Sequence, residues 1–461
     1  MLLISFLLSF LNISSQFSQA DTFFVVQEIK IVGNEKTKDK IILRELDFLV
    51  GDSLSKSLLN ERLELNRRKI MNTNLFVHVE LKPIFNEKNQ LSIEIHLQEQ
   101  WFILGYPLFV LADRNFSEWW SRGHDFRRTI YGIDLIHSNF NGRGERLSLH
   151  LEGGFTQRLD FSYRIPYIDK AQKTGIGMSV SYTTNKNVAF MSLNDTLYYL
   201  RSKSINLRER FVGSIYLKKR YGFYNFHTLE LKYNNISIAD TIQVLNPNYL
   251  ANGSTRQVYG QLSYYFNYDF RDNITYPLKG KRYEVLINKL GLLPSDDVHQ
   301  LEVIGGYSLY KPLAKKLFYS MNLEGKISFP DRQPYYNVRG LGYGGDLVRG
   351  FELYVVDGTK YFYAKNTLRY ELLKEKISVK FLKLKQFNQI PIGLYPNIFA
   401  DWAYVENRFA SENKSNLANR RLYGLGVGLD VVTYYNLVVR FNYAINSLKE
   451  KHFVFNMARE F

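Results

Sequence analysis

The chain has 461 residues, a net charge of +16 and no cysteine, which excludes disulfide staples, thiolate metal sites and cysteine nucleophiles. Aromatic residues reach 15%, with 34 Tyr and 33 Phe, yet the mean hydropathy is only −0.25. Membrane helices need apolar runs of roughly 18 residues, and none occurs past residue 20; aromatic richness at average polarity suits strands with one greasy and one wet face.

The positive charge fits an anionic membrane surface, an acidic partner or simply solvated loops. No compact Lys/Arg block interleaved with aromatics points to nucleic acid. In chain order, Met1 to Ala20 join an apolar stretch, Leu2 to Leu11, to a polar segment ending Ser18-Gln19-Ala20. A short apolar core before a small-x-small site is a secretory signal pattern, although Lys and Arg are missing ahead of it. Residues 1–20 are expected to direct export.

Residues 23–99 read as a small α/β domain of order β-α-α-β-β. Val25 to Val32 is an apolar strand closed by the turn dipeptide Gly33-Asn34. Thr37 is a candidate N-cap for a helix carrying Ile41, Ile42 and Leu46, which Gly51-Asp52 ends. A second helix is expected from about Ser55 to Met71, with Leu58, Leu59, Leu63 and Ile70 as its apolar stripe. Two alternating strands follow, Phe76 to Ile84 and Gln90 to Gln98, joined by a polar loop at Asn86 to Asn89. Three strands with helices on one face leave sheet edges open.

From Trp101 onward, short segments of strict period two recur between turns and polar loops. Leu147, Leu149 and Leu151 alternate with Ser148, His150 and Glu152; Tyr319, Met321 and Leu323 alternate with Ser320, Asn322 and Glu324. Leu437 to Asn446 and Phe453 to Phe461 repeat the pattern. About sixteen such segments are found, an even count as in bacterial membrane barrels. A soluble sandwich would not present outward rows of Phe and Tyr over so long a stretch. The fold class is therefore mainly β, a transmembrane antiparallel barrel over residues 100–461. Turns such as Asn141 to Gly144 and Thr433 to Asn436 fall on the near side. The longest segment without alternation, 330–360, falls outside, between strands eleven and twelve. The connection Leu373 to Ile390 is longer than a near-side turn should be.

The motifs Val32-Gly33-Asn34 with Thr37, then Gly51-Asp52, then Asn74-Leu75-Phe76 with Val79, resemble a POTRA domain of the BamA/TamA outer-membrane assembly family. Gly340 to Phe351 resembles that family's sixth extracellular loop, with Val348, Arg349, Gly350 and Phe351 matching its Val-Arg-Gly-Phe motif; Val338 to Leu341 is a partial echo. Phe399-Ala400-Asp401-Trp402-Ala403 resembles the family's Phe-x-Asp-x-Gly pattern, with Ala403 where Gly is usual. Tyr268 to Asn273 with Tyr276-Pro277 and Gly280 resembles a family turn. Gly424, Gly426 and Gly428 share one strand face, a lumen wall stripped of side chains. The terminal aromatic Phe461 resembles the barrel's own recognition signal.

The resemblance implies an outer-membrane protein-assembly or translocation factor with its POTRA domain in the periplasm. It implies a loop held in the lumen by Arg349 on Asp401, and a seam between the strands near Trp101 to Leu111 and His452 to Phe461 that opens sideways. The implied partners are outer-membrane lipid, client polypeptides and periplasmic or lipoprotein subunits. No cofactor, metal or catalytic residue is expected, since neither a Gly-x-Ser-x-Gly elbow nor a His-Glu-x-x-His motif occurs. A passive or secretion pore is the alternative, because ~16 strands enclose an aqueous channel.

This reading predicts that the mature protein fractionates with outer membranes and migrates differently on gels when left unheated. Recovery as a soluble periplasmic protein contradicts it.

Overall fold

Alternation in the first 99 residues builds a four-stranded sheet, one strand more than the sequence pattern suggests. The structure, a computed structural model, describes residues 22–86, 90–111, 119–120, 123–344, 348–378, 389–433 and 437–459. Residues 1–20, the loop positions 345–347 and Phe461 lie outside them. The chain divides into two units, Met1–Glu35 with Asp39–Glu99, and Lys36–Lys38 with Gln100–Phe461.

The first unit contains β1 (Phe23–Val32), α1 (Asp39–Leu43), β2 (Ser53–Ser55), α2 (Leu59–Met71), β3 (Phe76–Asn86) and β4 (Gln90–Glu99). The sheet order is β2-β1-β4-β3, with β1 and β4 parallel and the other pairs antiparallel. The added strand β2 has three residues, too few to show a period. It pairs along the edge of β1 that was expected to be open. Central β4 buries Leu91, Ile93, Ile95 and Leu97. Helix α2 starts at Leu59 rather than near Ser55, because Ser53–Ser55 is strand, and Leu58 stands exposed at its N-cap instead of joining the stripe. Gly33 has φ +95°, and a Cβ there would lie 2.0 Å from the Leu97 carbonyl oxygen, so the turn requires glycine.

The second unit is a closed barrel of β5 (Ile103–Leu111), β6 (Thr129–Phe140), β7 (Glu145–Gly154), β8 (Thr156–Ile165), β9 (Thr174–Asn185), β12 (Arg208–Tyr221), β13 (Asn225–Ile238), β14 (Arg256–Arg271), β15 (Gly280–Leu290), β16 (Gln300–Ala314), β17 (Leu317–Phe329), β18 (Lys360–Tyr370), β19 (Leu373–Ser378), β20 (Gln389–Glu406), β21 (Arg421–Thr433), β22 (Leu437–Asn446) and β23 (Lys451–Arg459). Because β18 and β19 both pair with β20, they are halves of one interrupted strand, and the described wall counts sixteen. The hairpin β10 (Asn187–Leu193) and β11 (Thr196–Arg201) stands apart in the connection from β9 to β12. Exposed rows such as Ile176, Met178 and Val180, or Leu425 and Val427, alternate with inward small and polar residues.

The described parts of the long connection after Leu373 are strand: residues 373–378 pair with 389–394, extending the hairpin of strands twelve and thirteen. Its charges (Lys374, Glu375, Lys376) hide the apolar alternation, and residues 379–388 lie outside the described ones.

Asp47 ties the loop before β2 to α2. Its carboxylate accepts from Asn66 Nδ2 at 2.7 Å and Arg62 Nε at 3.1 Å, and lies 3.1 Å from Lys69 Nζ. Burial works against its charge, but the Asn66 hydrogen bond and the Lys69 ammonium outweigh it and hold the carboxyl below its usual range. A depressed folded-state value gives stability that is present above the unfolded value and lost as pH falls through the folded one. Asp47→Ala should therefore destabilise this unit by ~1–3 kcal/mol, because buried donors lose their acceptor. Hydrogen exchange of α2 amides in the full chain should show loss of protection on acidification, blunted in Asp47→Asn.

Candidate functional site

The connection 330–359, between β17 and β18, folds back over the barrel wall and is held there by a single register row. Asp401 on β20 pairs with Gly424 on β21, and Gly424 pairs with Asn446 on β22. Each of the three meets the tip of the loop.

Arg349 Nε donates to Asp401 Oδ2 at 2.8 Å and Nη2 to Oδ1 at 2.5 Å, a two-pronged pair that suits the planar guanidinium. The Arg349 backbone N–H adds a third bond to Oδ2 at 3.1 Å. The guanidinium carbon lies 3.9 Å from the Phe399 ring centre, so the pair is sandwiched against an aromatic face. The Asp401 side chain is fully buried and that of Arg349 is 18% exposed, which leaves little water to replace either partner.

Gly424 is where the loop backbone comes closest. A Cβ there would sit 1.8 Å from the Arg349 carbonyl oxygen. The other two glycines do not meet the loop: Gly426 faces the Phe399 ring, and Gly428 faces the amides of Asn397 and Asn442. The bare face therefore admits the loop at one residue and wall side chains at the others.

At the third position Asn446 Nδ2 donates to the Gly350 carbonyl at 2.7 Å. Gly350 has φ +94°, and a Cβ there would lie 3.2 Å from Asn446 Cβ. Its N–H donates to Glu352, whose carboxyl is pushed up by burial. Four residues on from Asn446, Glu450 accepts from Tyr354 at 2.7 Å and from Asn446 Nδ2 at 2.9 Å.

Val348 and Phe351 flank the arginine and are buried with Leu341, Val356, Val405 and Leu422. Ala403 is fully buried in the same cluster, so its methyl serves as a packing surface and does not lengthen the Arg349–Asp401 bonds. The neck of the loop is closed by Leu341 and Val356, which exchange both backbone hydrogen bonds. Arg339, in the partial echo of the motif, stacks at 4.5 Å on Tyr343 instead, and its carbonyl accepts from Lys326.

Two buried carboxylates join this loop to its neighbours. Asp195, at the turn of the β10–β11 hairpin, accepts from the Ser415 hydroxyl and from the N–H groups of Asn416 and Leu417, while its carbonyl accepts from Val355 N–H. Asp357 accepts from the hydroxyls of Ser192 and Tyr343 and from Asn413 Nδ2. Burial pushes both carboxyls above their usual range. At the opposite end of the barrel, the 272–279 turn is pinned by Tyr276, whose hydroxyl donates to Asp430 at 2.8 Å beside Arg369.

Sequence reasoning singled out Val348 to Phe351 and Asp401, but passed over Asn446, Glu450, Asp195 and Asp357. Their partners are remote in the chain, 96 residues away for Asn446 with Gly350 and for Glu450 with Tyr354, 165 for Asp357 with Ser192 and 220 for Asp195 with Ser415, and no local pattern marks them. Among the described residues no cluster of His, Asp or Glu is arranged to hold a metal ion.

A family model for the Omp85 superfamily domain matches residues 139–461, and a POTRA model, described as the surface antigen variable number repeat, matches residues 24–100. No curated protein sequence matches the chain. Among solved structures the chain is similar to BamA from Haemophilus ducreyi lacking POTRA domains 1–3, at 18% identity and a TM-score of 0.55, over 94% of this chain and 84% of that one. It is also similar to CdiB from Escherichia coli, at 11% identity and a TM-score of 0.57, over 94% and 75% of the two chains. CdiB from Acinetobacter baumannii gives 13% identity and a TM-score of 0.51, over 95% and 73%. At these identities the likeness is one of fold.

Removing one partner of a buried ion pair costs ~3–5 kcal/mol, and a watered lumen favours the low end. Arg349→Ala and Asp401→Ala should each lower the temperature at which the unheated gel form is lost, and the double variant should be no worse than either single. Simply additive effects in this double-mutant cycle would show that the two residues act independently.

Proposed function

The chain belongs to the Omp85 superfamily, as an outer-membrane barrel with a periplasmic POTRA domain, and from that premise we propose that it inserts or translocates polypeptides through a laterally opening wall. In general terms the family membership assigns it to outer-membrane protein insertion or translocation. The finer reading is that the seam lies between β5 and β23, the first and last barrel strands, which are neighbours in the closed sheet. Client segments would be captured by pairing with an open sheet edge, at the seam and at β3 of the POTRA domain. Unpaired peptide groups at an edge supply the attraction without any covalent step.

One observation carries this reading. The row Asp401, Gly424, Asn446 fastens the loop tip to β20, β21 and β22 at once, and β22 pairs with β23, the strand that borders the seam in this reading. The loop and the terminal hairpin are thus one mechanical unit. Through Asn446 and Glu450, movement of the last strands bears on Gly350 and Tyr354. In this reading the Arg349–Asp401 pair is the fixed pivot, and the bonds to Asn446 and Glu450 are the part that gives.

Cysteines placed in Ile103–Leu111 and in Lys451–Val454 should form a cross-link across the seam. The locked protein should keep its heat-modifiable fold and lose client assembly, with activity returning on reduction. Full activity in the locked form would instead assign transit through the lumen, as in a passive or secretion pore.

A further inference from the structure

The hairpin of strands twelve and thirteen runs past the rim of the barrel. β17 reaches only to Leu317, opposite Tyr370 of β18, yet β19 and β20 stay paired for six further rows, from Leu373 with Leu394 to Ser378 with Gln389. On the other side, the pairing of β20 with β21 stops at Gly393. At ~3.3 Å per residue this ribbon extends ~15–20 Å beyond the end of β17. Its two faces follow from phase. Tyr395 and Asp401 are buried on the lumen side of β20 while Ile398 is exposed to lipid, so Ile392 and Leu394 continue the lipid side. Leu373, Glu375 and Ile377 share that face with them, and Leu373 and Ile377 are exposed on it.

Beside the root of the ribbon, the turn between β16 and β17 is exposed from Pro312 to Lys316. The Lys316 carbonyl accepts from Glu371 N–H at 2.8 Å, which seats this turn against the break between β18 and β19. Leu313, Lys315 and Lys316 thus stand beside Tyr370 and Leu372, all exposed, while Glu371 turns to the Tyr395 hydroxyl on the lumen side. Two more lysines share the outward face. Lys311 partners Tyr319, which partners Leu368; Lys281 partners Leu309 and lies over the Tyr283 ring at 5.6 Å. From Phe329 down to Tyr319, β17 has the length of a membrane-crossing strand, ~9–11 residues. Lys281 and Lys311 therefore stand at the periplasmic interface, and the apolar face of the ribbon continues past it.

We propose that Lys281, Lys311, Lys315 and Lys316 bind the headgroups of anionic phospholipids in the periplasmic leaflet, and that the β19–β20 ribbon is a foot lying against that leaflet. Lysine stems lie along apolar wall and carry their ammonium groups to the headgroup level, where phosphate oxygens accept from them. Leu309, Leu313, Leu317 and Tyr370 supply the surface for the acyl chains below each headgroup. Two features select lipid as the occupant. The face is continuous with the lipid-facing wall above it, and a second copy docked on it by two-fold symmetry would set the same lysines against each other. The site lies on strands nine to thirteen, across the barrel from the pairing of β5 with β23. It holds the wall to the membrane on the side away from that pairing, and rests on the membrane-barrel assignment without any opening of the wall.

The chain has no cysteine, so a single Leu313→Cys or Ile377→Cys takes a bimane fluorophore at one position. The labelled full chain is placed in phosphatidylcholine vesicles containing nitroxide-labelled phosphatidylglycerol or, at the same mole fraction, nitroxide-labelled phosphatidylcholine. At Leu313→Cys the anionic lipid should quench at least ~twofold more strongly. That preference should vanish in about 0.5 M KCl and in the Lys311→Gln/Lys315→Gln/Lys316→Gln variant. A label at Val427→Cys, on the lipid-facing wall of β21, should be quenched equally by both lipids. Equal quenching at Leu313→Cys, or a preference that survives the glutamine substitutions, would overturn the headgroup site. Should the glutamine variant lose its heat-modifiable fold, the salt response of the otherwise native chain decides, and a salt-insensitive preference overturns the site. At Ile377→Cys both lipids should quench; quenching by aqueous iodide alone would show that the ribbon faces water or a protein, and overturn the foot. Lipid proximity is read without client assembly, so this inference and the lateral-opening reading fail separately.

Discussion

A bilayer offers a peptide group no hydrogen-bond partner, and the second unit of this protein is organised around that constraint. Every barrel strand must be paired on both sides, so the sheet closes on itself. Closure forces the period of two. Leu, Ile, Val, Tyr and Phe then face lipid while glycine, serine and charged residues line the interior. Sixteen strands make an interior too wide for wall side chains to fill. What occupies it is a loop, and that loop must itself be held in place.

The holding device combines a buried charge pair with a glycine. Neither serves alone: the Arg349–Asp401 pair needs the loop backbone close to the wall, and Gly424 allows that approach. A guanidinium bonded to both carboxylate oxygens and stacked on Phe399 has two directions fixed. The tip is therefore oriented as well as attached. Asn446 fixes the next residue from a different strand. Placement of the loop consequently depends on the register of three strands, and a slip of β22 by one residue would turn Asn446 out of the lumen.

Charge follows the same economy of pairing. The chain carries +16, yet many inward cations have an acidic neighbour, such as Lys326 beside Glu302 and Arg369 beside Asp430. Around the outer connections the polarity reverses: buried Asp195 and Asp357 gather hydroxyl, amide and backbone donors from three loops. With their carboxyls pushed up by burial, these joints depend on directed hydrogen bonds more than on ion pairing.

Much of this was legible in the chain itself. Period-two alternation, with its outward aromatics, determined a membrane barrel of about sixteen strands, because alternation is a local property of a strand with two different solvents. The β-α-α-β-β pattern marked the first unit except for β2, whose three residues are too short to carry a period. Val348 to Phe351 and Asp401 stood out as family motifs, but motif resemblance alone could not supply a distance. Only the tertiary structure decided that Asp401, Gly424 and Asn446 lie in one row, since register across strands depends on every turn between them. The same holds for the joining of Asp195 and Asp357 to distant loops. Each of those contacts links residues with no periodic relation in sequence, and the closed sheet alone brings them side by side.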